Sequence, residues 1–136
     1  MKVFICLDDN NGMMFNNRRQ SRDEKVVKDI IKMVDGHSLW MNDYSAKIFD
    51  GYIEKLNVTP SFLDNMGKSD FCFVEGDDVK KYIAFIDEFI IYKWNRKYPA
   101  DKVFDIELYE FGFELQQIEE IGGKSHEKIT KEIYIR

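Results

Sequence analysis

Phe71-Cys72-Phe73-Val74-Glu75-Gly76-Asp77-Asp78-Val79-Lys80-Lys81-Tyr82 reads as a buried strand, a tight turn and the start of a helix. An unbroken apolar run from Phe71 to Val74 suits a strand covered on both faces of a parallel sheet. A glycine-bearing turn between such a strand and a helix is where α/β proteins set a phosphate against backbone N–H groups. Here the turn carries Glu75, Asp77 and Asp78, whose charges oppose an unshielded pyrophosphate. The stretch predicts the fold and, with the same residues, argues against the usual occupant of that place.

Working outward, Lys2-Val3-Phe4-Ile5-Cys6-Leu7 is a strand, and Asp8-Asp9-Asn10-Asn11-Gly12 opens an irregular loop through Ser21. Val26, Val27, Ile30, Ile31 and Val34 recur at helical spacing, with Ser21 as the expected N-cap and Asp35-Gly36 as the stop. A strand over 38–41, a helix over 43–55 capped by Asn42 or Asp43, and a strand over 56–59 follow. Pro60 then opens a short helix to residue 66. Beyond the Phe71 strand come a helix over 79–86 and a strand over 88–94. Short apolar strands separated by helices imply right-handed crossovers and a mainly parallel sheet with flanking helices. Residues 113–121 and 128–135 are strand-like and joined across Gly122-Gly123-Lys124-Ser125, which predicts a C-terminal antiparallel hairpin at the sheet edge. With no repeat or linker in the chain, residues 1–136 read as a single α/β domain.

The composition excludes several classes. With 44% hydrophobic and 15% aromatic residues the chain can build a core. A net charge of -5 lacks the basic footprint of general nucleic-acid binding. Cys6 and Cys72 lie in apolar runs, as buried free thiols do. No apolar run approaches the roughly 20 residues of a membrane helix, and no leader-like segment precedes the first strand, so the expected location is cytoplasmic and without membrane partners.

The order of these elements, with their local sequences, resembles dihydrofolate reductase over nearly the whole chain, in hydrophobic pattern more than in single residues. Met13-Met14-Phe15 is similar to that family's mobile substrate loop. Leu39-Trp40-Met41-Asn42-Asp43-Tyr44-Ser45 stands where the family has Met-Gly-Arg-x-Thr, which implies that Asn42 and Ser45 border a ligand. Cys72-Phe73-Val74-Glu75-Gly76-Asp77-Asp78 stands where it has Val-Ile-Gly-Gly-Gly, which implies the same for Glu75, Gly76 and Asp77. Asp87 to Tyr92, Tyr98-Pro99-Ala100-Asp101 and His126 to Tyr134 resemble the later strand, loop and final hairpin. Asp23 stands where the family keeps the carboxylate that binds a pterin ring.

The departures bear on activity. Glu75 and Asp77 replace two glycines, and Asp43 replaces the Arg. Unit charges about 4 Å apart at an effective dielectric near 20 interact by about 4 kcal/mol. The stretch between Tyr52 and Asp70 is also short for an adenosine site. NADPH is therefore disfavoured, and the cofactor, if any, is unknown. The Asn-Gly-Met, Arg-Arg-Gln-Ser-Arg-Asp and Ser-His-Glu-Lys-Ile-Thr blocks resemble short bacterial proteins that carry the label ribonuclease Z. A two-zinc hydrolase needs a histidine cluster, whereas this chain has only His37 and His126, so no metal site is expected.

Four groups could carry function. Asn16-Asn17-Arg18-Arg19-Gln20-Ser21-Arg22-Asp23 offers Arg18, Arg19 and Arg22 as an anion clamp, or else as partners of Asp8, Asp9 and Asp23 in a solvated loop. Asp23 could hold a guanine-like or amidine-like ring edge with its pKa raised by burial, or simply favour a helix dipole. Trp94-Asn95-Arg96-Lys97-Tyr98 could stack a nucleobase, or pack while its basic residues snorkel. Gly122-Gly123-Lys124-Ser125 has the wrong spacing and context for a phosphate loop and reads as a turn, with His126 a lone hairpin histidine. No Ser-His-Asp order stands out. The expected function is binding of a small nucleotide-like or pterin-like ligand. A non-catalytic interaction protein using the Arg18 to Arg22 loop and the Trp94 to Tyr98 segment is one alternative, and a divergent NADPH-dependent reductase is another. The oligomeric state is not legible.

Overall fold

The computed structural model describes residues 1–53 and 56–136. Its centre is a seven-stranded sheet in the order β5-β4-β6-β1-β7-β10-β9. The strands are β1 (Lys2–Leu7), β4 (Leu39–Met41), β5 (Asn57–Val58), β6 (Phe71–Val74), β7 (Glu88–Lys93), β9 (Glu114–Ile121) and β10 (Ile129–Ile135). β5, β4, β6, β1 and β7 are mutually parallel, and β10 runs antiparallel to β7 and β9. The mixed α/β architecture with a mainly parallel sheet and a final antiparallel hairpin is thus as the hydrophobic pattern predicts.

Pleating divides β1 between two cores. Phe4 joins Val26, Val27, Ile30 and Val34 of α1 (Glu24–Val34), together with Phe71, Phe73, Ile90 and Tyr92. Val3, Ile5 and Leu7 face the opposite layer, where they meet Phe62, Val79, Phe89, Phe104 and Phe113. Burying a side chain of this size contributes about 1.5–3 kcal/mol, so the two-sided burial of β1 explains why its sequence is an apolar run and not an alternation.

Several expected elements take another form. The 8–21 segment is not irregular: β2 (Gly12–Phe15) pairs with β3 (Arg18–Arg19) and with β8 (Lys102–Val103) in a second, three-stranded sheet. Asn16 and Asn17 supply the two left-handed residues of the hairpin turn, with φ 51° and 59°. The N-cap of α1 is Asp23, whose side chain accepts from Lys25 N, and not Ser21. The predicted 43–55 helix is α2 (Asp43–Ala46) followed by a 3-10 turn over Lys47–Phe49, because Asp50 turns extended and Gly51 has φ +82°. Its expected end at Glu54 and Lys55 lies outside the described residues. The 60–66 helix is α3 (Phe62–Asn65), and the 79–86 helix is a 3-10 segment over Lys80–Phe85. Asp78 accepts Lys80 N there, an Asx turn that competes with α-helical pairing.

Candidate functional site

α1 follows β1 on one face of the sheet, while the 3-10 segment that follows the neighbouring β6 packs into the opposite layer. Adjacent strands whose connections diverge in this way open a crevice at their carboxyl ends, which is where open α/β sheets take ligands. Asp8, Asn42 and Glu75 each follow the last residue of a strand at this edge.

On the β6 side the crevice is closed by the chain's own groups. Arg19 Nε donates to Glu75 Oε2 at 2.8 Å and Arg19 Nη2 to Glu75 Oε1 at 2.9 Å, a bidentate pair. Buried Ser45 donates its hydroxyl to the same Oε1 at 2.8 Å. The guanidinium lies 4.3 Å from the Tyr44 ring centroid, and the Tyr44 hydroxyl accepts Arg19 N. Burial opposes the Arg19 charge, yet the Glu75 hydrogen bonds and charge outweigh it and hold the guanidinium above its ordinary pKa. Asn42 caps α2 by accepting Ser45 N and reaches Asp77 Oδ1 at 3.2 Å, while Glu75 N donates to Asp77 Oδ2. Burial pushes the Asp77 carboxyl upward. Gly76, at φ +86°, faces Met14 Sδ so closely that a Cβ would collide with it.

Arg19, Asn42, Ser45, Glu75, Gly76 and Asp77 therefore meet, but as partners of one another. The charge argument also changes. Glu75 is neutralised by Arg19, so the obstacle to a pyrophosphate here is occupied space and committed donors more than free negative charge. The three acids do not converge: Glu75 faces Arg19, Asp77 faces Asn42, and Asp78 caps Lys80.

Asp23 lies elsewhere. Its side chain is buried, and its oxygens accept Lys25 N and Lys124 N at 2.9 Å, Ser125 N at 2.7 Å, His126 N at 3.1 Å and His126 Nδ1 at 2.9 Å. The Gly-Gly-Lys-Ser turn thus forms a ring of N–H donors around a carboxylate of the same chain. A Cβ at Gly123 would stand 2.8 Å from Asp23 Oδ2 and collide with His126 O, so only glycine lets the turn approach. Burial alone would raise the Asp23 pKa, as the sequence reading expected, but these donors outweigh it and hold the carboxyl well below the usual range.

Compared with models of known protein families and with curated proteins, the chain matches none. The site is therefore read from its own geometry.

What remains open is a cavity of about 590 Å³ lined by Phe15, Asn16, Arg18, Arg19, Gln20, Tyr98 and Pro99. Buried Asp8 sets its wall: Oδ1 accepts Asn10 N and Gly12 N, and Oδ2 accepts Gln20 Nε2 and Tyr98 N. Burial works against the Asp8 charge, but these donors prevail and lower its pKa. Gln20 Oε1 is buried and has no hydrogen-bond partner among the described residues. Phe15 is 42% exposed, and Arg18 is exposed.

Arg22 does not join Arg18 and Arg19. It borders a separate recess of about 350 Å³ with Glu24, Lys124 and Ser125, so the three-arginine clamp is not formed. The aromatic-basic segment is divided as well. Trp94 is buried and stacks on His126 at 4.6 Å, while Tyr98 faces the cavity. A further cavity of about 550 Å³, lined by Met1, Leu63, Tyr82 and Phe85 among others, lies at the amino end of β1, away from the crevice.

Sequence reasoning missed Gln20 and Phe15 as lining groups, and Ser21 and His126 as a pair 2.8 Å apart. The hairpin register that brings the former together depends on Asn16 and Asn17 in left-handed conformations, a turn signal that the sequence does carry.

Proposed function

We propose that this chain is a dihydrofolate-reductase-like domain that binds a small nucleotide-like ligand, in the open cavity between the β2–β3 hairpin and the Tyr98–Pro99 loop. The observation that carries the reading is the composition of that cavity: Phe15 and Tyr98 bring aromatic rings to its lining, Arg18 brings an exposed cation, and Gln20 adds an amide side chain. A planar base with an anionic tail answers the aromatic and cationic parts of this lining. Support for the fold assignment comes from the five parallel strands and the final antiparallel hairpin. A nucleotide is favoured over a pterin because the Asp23 oxygens are already engaged by five donors.

The test is thermal denaturation of the protein with each ribonucleoside monophosphate, with inorganic phosphate, and with NADPH. A ligand bound only by the native state raises the midpoint by mass action. A saturable rise with at least one monophosphate, lost in Arg18→Ala and absent with phosphate alone, is expected. No rise with any monophosphate at millimolar concentration would leave the interaction-protein alternative. A saturable rise with NADPH would restore the reductase.

A further inference from the structure

His126 is 105 residues from Ser21 and 103 from Asp23 along the chain, yet the three form a continuous hydrogen-bonded line. The His126 ring is buried and held flat against Trp94 at 4.6 Å. Its Nδ1 lies 2.9 Å from Asp23 Oδ2, an oxygen that only accepts, so the ring proton sits on Nδ1. That leaves the Nε2 lone pair facing Ser21 Oγ at 2.8 Å, and the serine hydroxyl donates to it. Asp23 is itself fixed by backbone N–H groups from both α1 and the Gly-Gly-Lys-Ser turn. A base oriented by a carboxylate and touching a hydroxyl is the arrangement that activates a serine.

We infer that Ser21, His126 and Asp23 form a nucleophilic relay able to take an acyl group from a small activated carboxylic ester. Ser21, His126 and Asp23 do not line the neighbouring cavity, and Tyr98 is the residue through which the two sites touch. Ser21 is half-buried, and its chain neighbours Gln20 and Arg22 line two separate open recesses. Ser21 Oγ attacks the ester carbonyl carbon while its proton passes to His126 Nε2, and the carbonyl electron pair moves onto oxygen. Collapse breaks the bond to the leaving oxygen, which takes that proton from His126. Water then attacks the acyl-serine with His126 as base, which releases the acid and restores the hydroxyl. With Nε2 the acceptor, the Tyr98 hydroxyl 3.4 Å away is a second, longer donor to the same lone pair. Asp23 is a positioning residue, since it acts through the ring.

Diisopropyl fluorophosphate tests the relay in a single step, because attack by Ser21 forms an O–P bond, breaks P–F and releases fluoride with the proton. Intact mass and peptide mapping are expected to show one adduct, on Ser21, in the native protein. The adduct should be absent in urea-unfolded protein and in Ser21→Ala. Labelling of His126→Gln should be about 10² to 10⁴-fold slower. No adduct on the native protein would overturn the inference, as would equal labelling of Ser21→Ala, or wild-type labelling rates in a folded His126→Gln. If His126→Gln does not fold, the native, unfolded and Ser21→Ala samples decide.

Discussion

Replacing Asp23 by alanine should destabilise the protein more than an ordinary helix-cap substitution does. The Lys25 N bond is the cap proper, and its loss costs about 1 kcal/mol. The change also strips His126 N and His126 Nδ1, both in buried bonds, of their acceptor. A buried donor left unsatisfied costs about 1–3 kcal/mol. Lys124 N and Ser125 N are partly exposed and find water, so they add little. The expected loss is about 3–7 kcal/mol, read from urea unfolding followed by circular dichroism at constant slope. Asp23→Asn should recover only part of it, because an amide presents NH₂ where Ser125 N and the His126 donors need an oxygen. A loss below about 1 kcal/mol for Asp23→Ala, the size of a bare cap, would refute the reasoning. The pH dependence has a definite sign. The folded-state pKa is depressed, so this contribution is complete above the unfolded carboxylate value of about 3.9 and fades as pH falls through the folded value. Asp23→Ala should therefore show a flatter acid limb than wild type.

Arg19→Met leaves Glu75, whose side chain is 8% exposed, without its cation; the expected cost is about 3 kcal/mol, and the double variant with Glu75→Gln should lose less than the sum of the two singles. Gly76→Ala meets both the collision with Met14 and a positive φ, so it should lower the urea midpoint, and Met14→Ala in the same chain should relieve only the collision. Burial pushes the Tyr92 phenol up, with Asp29 adding to it; above the unfolded value of about 10 the unfolded chain ionises first, so stability falls as pH rises, and Tyr92→Phe should fall less. Burial likewise raises both the Cys6 and Cys72 thiols, so a disulfide reagent should titrate two cysteines rapidly in urea and neither rapidly in the native protein.

The sheet was legible because its signals are local. An apolar run such as Phe71 to Val74 and the 3.6-residue spacing from Val26 to Val34 need no partner to be read. Shorter elements were not legible, since Asp50-Gly51 and the Asp78 Asx turn end or tighten a helix by backbone geometry that the apolar spacing does not carry. The β6 turn was read for its charge, but the Arg19 that neutralises Glu75 sits 56 positions away, and only the fold joins them. The Ser21, His126 and Asp23 line was hidden for the same reason. In the sequence Ser21 reads as a cap and His126 as an isolated hairpin residue, because neither periodicity nor a short motif links a helix start to a distant turn.

One side of the crevice is open, and the other is closed by Arg19, Glu75, Ser45 and Asn42. The most direct measurement is a ¹H–¹⁵N correlation spectrum titrated with adenosine monophosphate or whichever monophosphate raises the midpoint, and in parallel with NADPH. The monophosphate should shift the amides of Phe15, Arg18, Arg19, Gln20 and Tyr98 and leave those of Gly76 and Asp77 in place, and NADPH should shift neither group. Shifts centred on Glu75 to Asp77 with NADPH, or no shift at the hairpin with any monophosphate, would contradict this arrangement.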